Sequence, residues 1–401
     1  MISLRPLDEL RPEDLWREVR PEPDEFWNDA REKQQRLLKT LLEGALEEEL
    51  TVLLQAGRYR HTEARAGYRN GFYSRDLATQ IGIVTAIRVP RARSGNVERS
   101  VFSRYQRRQA QVDLVIRDVF LAGVSTRRVG EVLEGLLGAP VSAQTVSRVA
   151  RSLDREVARF HESSLEDDIV YLFLDGVSLR VKTAAGMKRR MVLCAYGISL
   201  TGERRILDFR LVKSESQACW EAFLNQLRER GLAGRHLRLV ATDGCPGLHA
   251  ALETVYPYVP RQRCWAHKLR NVASLLRRAN QDECLQGAKA IYQAENRRAA
   301  VKAYWDWARR WREAEPKAVA CLERDLEELL SFFSCPSEHW RKVRTTNVIE
   351  RSFREVRRRT RPMTCFNNQA SCERIIYAVV SHLNRNWTGH LSPSIYTLAG
   401  C

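Results

Sequence analysis

No run of about 18 apolar residues occurs in the chain, which excludes a transmembrane helix and makes a membrane an unexpected partner. Internal repeats and low-complexity tracts are absent, which excludes a solenoid or a linker-like protein. The opening stretch, MISLRPLDELRPEDLWREVRPEPDE, lacks the charge pattern of a signal or transit peptide. Acidic residues are the scarcer charge, 49 Asp+Glu against 66 Lys+Arg. Cysteine is not scarce, but its ten positions, Cys194, Cys219, Cys245, Cys264, Cys284, Cys321, Cys335, Cys365, Cys372 and Cys401, follow no framework spacing. A disulfide scaffold is therefore not expected; reduced thiols and a cytoplasmic location are.

What is present is a chain of 401 residues, 44% hydrophobic, enough for two or three domains with real cores. The net charge of +17 points to a polyanionic partner, and nucleic acid leads. The charge is concentrated. Residues 58–108 hold twelve Arg against Glu63, Asp76 and Glu98, a net of +9. Residues 341–361 hold eight Arg and Lys342 against Glu350 and Glu355, a net of +7. A charge run is often a solvated face, but two patches containing almost the whole imbalance favour binding.

The pattern predicts six regions. Residues 1–57 form an N-terminal helical region, with Leu38, Leu42, Ala45, Leu46, Leu50, Leu53 and Leu54 at helical steps up to Gly57. That stripe either covers the rest of the chain or pairs with a second copy; a homodimer is the expectation, although sequence alone does not decide. Residues 58–109 read as an Arg-rich β-hairpin module. Its β-type runs are TQIGIV and AIRVPRARSG, punctuated by Gly82 and Gly95, and Arg91 and Arg93 are candidate DNA contacts. Residues 110–160 read as a helix-turn-helix domain. VDLVIRDVFLAG closes at Gly123, Ser125 caps TRRVGEVLEGLLG, and Pro140 breaks the chain before Ser142 caps AQTVSRVARSLDREVARF. Gln144, Thr145, Arg148 and Arg151 would face the major groove from that last helix. An ordinary helical hairpin is the plainer alternative.

From 165 to 267 the chain reads as a mixed α/β sheet: a three-strand meander, a helix, the strand LRLVAT, a helix and a short strand. Residues 268–340 form a helical block, and 341–401 add a last helical part. Strand IVYLFL runs into Asp175-Gly176, and LRLVAT runs into Asp243-Gly244. Two carboxylates at the ends of two strands of one sheet can face each other, held rigidly. Glu350, in TTNVIERSFREVRRRT, is the third candidate. Three carboxylates with open positions suit Mg²⁺, with Mn²⁺ as substitute, and two such ions suit phosphoryl transfer. Taken singly, Asp-Gly after a strand is only a turn. Asp167 and Asp168, at the other end of the first strand, are assigned to solvent.

The chain resembles the bacterial mutator-type DDE transposases. LDGVSLRVK around Asp175, ATDGCPGLHAALETVYP around Asp243, RQRCWAHKLRNV, and TTNVIERSFREVRRRTRP around Glu350 carry the likeness, in order. RNGFYSRDLATQIGIVTAIRVPRARSG, FSRYQRR and AGVSTRRVGEVLEGLLG extend it over most of the chain, and none of the three acidic positions departs from the pattern. The resemblance implies an RNase H-like core interrupted by a helical insertion between the second Asp and the Glu. The spacings of 68 and 107 residues agree. It implies an enzyme that binds terminal inverted repeats, cleaves strands there with metal, and joins a 3′-hydroxyl to target DNA, by a copying route through a circular intermediate. It makes Cys264-Trp265-Ala266-His267 a motif beside the active site, with His267 catalytic near the scissile phosphate and Cys264, Trp265 and Lys268 beside DNA. Core packing remains open for Cys264. A structural zinc is not expected, because no second Cys/His pair follows; His382 and His390, or Cys365 and Cys372, are wrongly spaced. Arg351, Arg354 and Arg358 recur on one helix face beside Glu350 and would hold DNA backbone, or else stand in solvent. Trp305, Trp307 and Trp311 are split between faces, with core packing favoured over base stacking. The rivals are a nuclease or resolvase on the same core, which cuts without joining, and a helix-turn-helix repressor, which has no use for three placed carboxylates.

Overall fold

The computed structural model describes residues 23–93, 106–122, 124, 126–138, 141–184, 186–360, 366 and 368–388. Expectations resting on residues 1–22, Gly95, Gly123, Ser125, Pro140, Cys365, His390 and Cys401 lie outside these. The chain divides into two compact units, Met1–Arg151 and Ser152–Cys401.

In the first unit, helix α1 (Pro23–Leu54) lies on an antiparallel hairpin of β1 (Arg69–Thr79) and β2 (Gly82–Ala92). Leu46 packs with Leu77, Val84, Ile87 and Val89, and Leu38, Leu42 and Tyr73 flank them. The reading of TQIGIV as one β run is corrected, because the chain reverses inside it at Gln80-Ile81. Gln35 Nε2 donates to the Ile81 carbonyl at 2.9 Å, Thr79 donates its hydroxyl to the Gly82 carbonyl at 2.7 Å, and Gly82 has a φ of +106°, open to glycine alone. Helices α2 (Ala110–Leu121), α3 (Thr126–Leu137) and α4 (Ala143–Arg151) follow. They bury Val112, Ile116 and Phe120, then Val129, Leu133 and Leu137, then Val146, Val149 and Ala150. Ser142 Oγ accepts from the Thr145 amide at 3.2 Å, so the expected cap is in place.

The single helix expected over AQTVSRVARSLDREVARF is also corrected. It breaks at Ser152-Leu153, and its second half, α5 (Asp154–Glu162), belongs to the second unit. Val146, Ala150, Leu153, Val157 and His161 keep a helical rhythm straight through the break, so periodicity holds no trace of it.

The second unit is built on β3 (Ile169–Thr183), β4 (Gly186–Ser199), β5 (Arg204–Val212), helix α6 (Gln217–Glu229), β6 (Leu239–Thr242), helix α7 (Pro246–Val255) and β7 (Arg261–Arg263). The sheet order is β5-β4-β3-β6-β7. β3, β4 and β5 form the expected antiparallel meander, while β6 and β7 run parallel to β3. Parallel neighbours require crossovers, and α6 and α7 supply them. Trp220, Phe223, Leu224 and Leu227 of α6, with Leu248, Leu252 and Val255 of α7, pack on Leu172, Leu174 and Leu193. β3 does not stop at Gly176 as expected but runs to Thr183, paired with β4 as far as Gly186. Val177, Leu179 and Val181 are buried between exposed Ser178, Arg180 and Lys182, a period of two that marks a strand.

A helical block follows β7: α8 (Trp265–Leu275), α9 (Gln281–Gln293), α10 (Arg297–Trp311), α11 (Pro316–Arg324), α12 (Leu326–Leu329) and α13 (Trp340–Val343). Trp307 and Trp311 are buried, and Trp307 Nε1 donates to the Cys284 carbonyl at 2.9 Å; Trp305 is 51% exposed. Then α14 (Asn347–Thr360) and α15 (Gln369–Thr388) return to the sheet. Trp387 stacks edgewise on Tyr196, which does the same on Phe173. The assignment of Asp167 and Asp168 to solvent is corrected. Asp167 accepts from the Gly234 amide at 2.7 Å and Arg235 Nε at 2.8 Å, and Asp168 pairs with Arg205 at 2.9 Å, so both staple the lower end of the sheet. The architecture is mixed α+β. Among the described residues, eight cysteines are unpaired and no helix is long and apolar enough to cross a membrane.

Candidate active site

Two parallel strands, β6 and β7, end beside a third, β3, that runs on. Leu174 of β3 pairs with Thr242 of β6, and Thr242 pairs with Arg263 of β7. The next residue along each strand is therefore Asp175, Asp243 and Cys264. Asp175 is 2% exposed, and its Oδ2 has no hydrogen-bond partner among the described residues. Burial first, then the charge of Asp243, pushes its carboxyl up to about 7, against the pull of His267 and the Thr346 hydroxyl. Asp243 Oδ1 accepts from the Cys245 amide at 3.0 Å, an Asx turn that aims the carboxylate back along the strand end.

Glu350 is carried to this point by a chain of backbone contacts. The Cys264 amide donates to the Thr242 carbonyl at 2.7 Å, and Cys264 Sγ accepts from the Thr346 amide at 3.2 Å. The Trp265 amide donates to the Arg344 carbonyl at 3.1 Å. These bonds tie the segment before α14 to the end of β7, so Glu350 enters in the first turn of α14, where the helix dipole favours a carboxylate. Its two oxygens accept from Arg270 Nη1 and Nη2 at 2.6 and 2.8 Å. That fork holds the Glu350 carboxyl below its usual range despite partial burial.

His267 stands between these groups. Its Nε2 lies 3.4 Å from Glu350 Oε1, and its Nδ1 lies 3.4 Å from Thr346 Oγ1. The Cys264 thiol beside it, opposed by burial and helped by Asp175 and Asp243, raises the imidazole to about 9. For Cys264, burial acts upward, but hydrogen bonds with His267 and Thr346 outweigh it and the thiol is lowered. The donors available to a cation are carboxylate oxygens, which suit a hard ion. Among the described residues no three His, Cys, Asp or Glu side chains are already drawn to one point, and Glu350 is turned to Arg270.

The structure thus brings Asp175, Asp243, Glu350 and His267 together. Three expected DNA contacts are withdrawn. Cys264 is fully buried as the clamp on Thr346, Trp265 is 1% exposed with Nε1 donating to the Leu329 carbonyl at 2.8 Å, and Lys268 is 2% exposed and paired with Asp325. Arg351, Arg354 and Arg358 are exposed on α14, opposite buried Phe353 and Val356, and Arg358 pairs with Glu355 at 2.9 Å. In the first unit, Gln144, Arg148 and Arg151 share one exposed face of α4, and Thr145 is half-buried at its start. Arg91 and Arg93 are exposed, and Arg91 lies over the Tyr73 ring at 4.9 Å. Arg270 and Thr346 were missed by sequence reasoning. Arg270 had a signal, six residues after Cys264 inside RQRCWAHKLRNV; Thr346 had none beyond opening TTNVIE.

A family model described as "Transposase, Mutator family" matches residues 18–390. The chain is 35% identical over 351 residues to the transposase for insertion sequence element ISRM5 of Rhizobium meliloti, covering 88% of this chain and 87% of that protein. It is 32% identical over 361 residues to the transposase for IS256 in transposon Tn4001 of Staphylococcus aureus, covering 88% and 90%. Among solved structures, the catalytic domain of Mos1 mariner transposase aligns over 49% of this chain and 87% of its own, at 15% identity and a TM-score of 0.19, too low to bear on the fold.

The raised Asp175 has a measurable consequence. Its proton is held more tightly in the folded chain than in the unfolded one, where an Asp titrates near 3.8. Stability from this group is therefore complete below that value and is lost as pH rises towards 7, on the order of 4 kcal/mol in all. In protein stripped with chelator, Asp175→Asn should raise Tm above the parent at about pH 8, and the gap should narrow at about pH 5. Thermal melts at both values check this; an Asn variant less stable than the parent at the higher pH contradicts it.

Proposed function

The chain belongs to the Mutator family of transposases, and from that premise we propose that it is a DDE-type polynucleotidyl transferase with an RNase H-like core. It binds the terminal inverted repeats of an insertion sequence as duplex DNA, cleaves a strand there, and joins the freed 3′-hydroxyl to target DNA. The observation that carries this reading is the pair Asp175, within β3, and Asp243, just past the end of the parallel β6, the first buried with an oxygen that has no partner among the described residues. Two like charges placed that close, one of them out of water, call for a cation. The antiparallel meander continued by two parallel strands supports the RNase H-like reading, with the helical block after β7 as its insertion.

Asp175, Asp243 and Glu350 would hold two Mg²⁺ ions, with Mn²⁺ as substitute. Such ions, when bound, activate the attacking hydroxyl or water and stabilise the leaving oxygen. The chain's own residues do the rest. Strand β3 and the end of β6 hold Asp175 and Asp243 rigidly, which sets where a phosphate can sit. Glu350 becomes available when Arg270 lets go of it, and the freed guanidinium then faces the phosphates that DNA brings. His267 keeps its proton at neutral pH and offers it to a phosphate oxygen, which aligns the group for in-line attack. Arg351, Arg354 and Arg358 hold DNA backbone beside the site.

The first unit recognises the element ends. Gln144, Thr145, Arg148 and Arg151 of α4 read base edges, and the hairpin supplies guanidinium groups backed by aromatic rings. Support for the latter comes from Arg65 over Tyr68 at 4.3 Å, Arg88 over Phe72 at 5.7 Å and Arg91 over Tyr73 at 4.9 Å. Exposed Leu41, Val52 and Leu53 on α1 support a homodimer.

Two outcomes test this. Asp175→Asn, Asp243→Asn and Glu350→Gln should each lower cleavage of labelled element ends by roughly a thousandfold or more while end binding persists, because the amide keeps the shape and loses the charge that holds the ion. Near-parental cleavage by any one variant removes that residue from the site. Arg148→Ala should cost about 1–3 kcal/mol of discrimination between element ends and random duplex in a competition binding assay. An equal loss on both duplexes makes Arg148 a phosphate contact instead.

A further inference from the structure

We propose that Glu215 is a fourth carboxylate of the cation site, completing it from the side opposite Glu350. This rests on the reading of Asp175 and Asp243 as cation ligands, and it concerns a residue that neither motif nor strand-end logic points to.

Glu215 lies in the short link between β5 and α6, just before Ser216, which caps α6 through the Cys219 amide. Its carboxylate occupies the space over Gly176, the neighbour of Asp175 on β3; a Cβ at position 176 would overlap Glu215 Oε1. Gly176 is therefore not the turn glycine that Asp-Gly suggests. It sits in a continuous strand, and its missing side chain is the room that Glu215 fills. The link is pinned from the other side by the loop that carries Asp243. Cys245 Sγ donates to the Glu215 carbonyl at 3.6 Å, and a Cβ on Gly247 would come within 2.5 Å of that same carbonyl.

So held, the side chain is in an expensive place. Oε1 is buried without a hydrogen-bond partner among the described residues, as is Asp175 Oδ2. Burial and the nearby charge of Asp243 both raise the Glu215 carboxyl. Among the described residues the basic groups of β7 and α8 are engaged elsewhere: Arg263 and Lys268 with Asp325, Arg270 with Glu350. A structural carboxylate of this kind normally takes a guanidinium or several amides. Glu215 takes neither, while the loop of Asp243 holds its backbone on one side and Gly176, next to Asp175, lies under its carboxylate. A divalent cation held by Asp175 and Asp243 would give Glu215 the partner it lacks, and oxygen donors from three separate segments suit the octahedral demand of Mg²⁺ or Mn²⁺.

Mn²⁺ binding to the full-length protein, followed through the free-ion EPR signal without DNA or turnover, tests the assignment. Glu215→Gln should raise the Mn²⁺ dissociation constant about tenfold or more, or remove one of two bound ions. Gly176→Ala should do the same with every carboxylate still in place, because the new methyl displaces Glu215; it serves should the Gln variant fold poorly. Exposed Glu229→Gln should leave binding unchanged. Parental Mn²⁺ affinity in both Glu215→Gln and Gly176→Ala, with Asp175→Asn weakened, overturns the role of Glu215 and leaves the cation reading standing. Parental affinity in Asp175→Asn as well overturns the cation reading itself.

Discussion

The parallel pairing of β3 with β6 sets Asp175 beside Asp243, and the electrostatic cost of that adjacency shapes the groups around it. One of the two is out of water, so the second charge is felt at low dielectric. No Lys or Arg among the described residues is hydrogen-bonded to Asp175 Oδ2. Among the described residues, the basic side chains of β7 and α8 are matched to other acids, Arg270 to Glu350 and Arg263 and Lys268 to Asp325. His267, raised by this field and by Cys264, stands close, and Arg270 also feels the charge of Asp175. An arrangement that leaves charge uncompensated is costly for folding, and such costs concentrate where a ligand will meet them.

The same logic organises the segment before α14. Cys264 is buried as a hydrogen-bond acceptor for Thr346, and this bond, with Trp265 on Arg344, places the first turn of α14 over the strand ends. Glu350 then waits in the fork of Arg270. In the proposed reading, the motif Cys264-x₂-His267 has two jobs divided by position. Cys264 fastens the Glu-bearing helix to the sheet, and His267, one helical turn on, points its ring into the site.

Much of this was legible in the residues. The runs that lead into Asp175 and Asp243 are apolar and plain to see, and the helix of Glu350 shows its amphipathic spacing. The extension of β3 past Gly176 was hidden by the assumption that Asp-Gly ends a strand, although Val177, Leu179 and Val181 alternate correctly. The break at Ser152-Leu153 left no mark, because the apolar rhythm crosses it and unit membership depends on long-range packing. Lys268 and Trp265 were read as DNA contacts because the resemblance puts their motif beside the active site. Burial depends on what the helical block supplies, Asp325 and the Leu329 carbonyl, some 60 residues away in sequence. Glu215 was silent for the same reason, since its partner in the argument is an absent side chain at Gly176 on another strand.

The central claim is that these carboxylates serve joining as well as cutting. A strand-transfer assay with labelled element ends, plasmid target and Mg²⁺ tests it most directly. The account predicts a joined product whose formation needs a free 3′-hydroxyl on the end and disappears in Asp243→Asn. Cleaved ends that accumulate without any joined product, under conditions where the parent protein binds both DNAs, would contradict it and identify a nuclease.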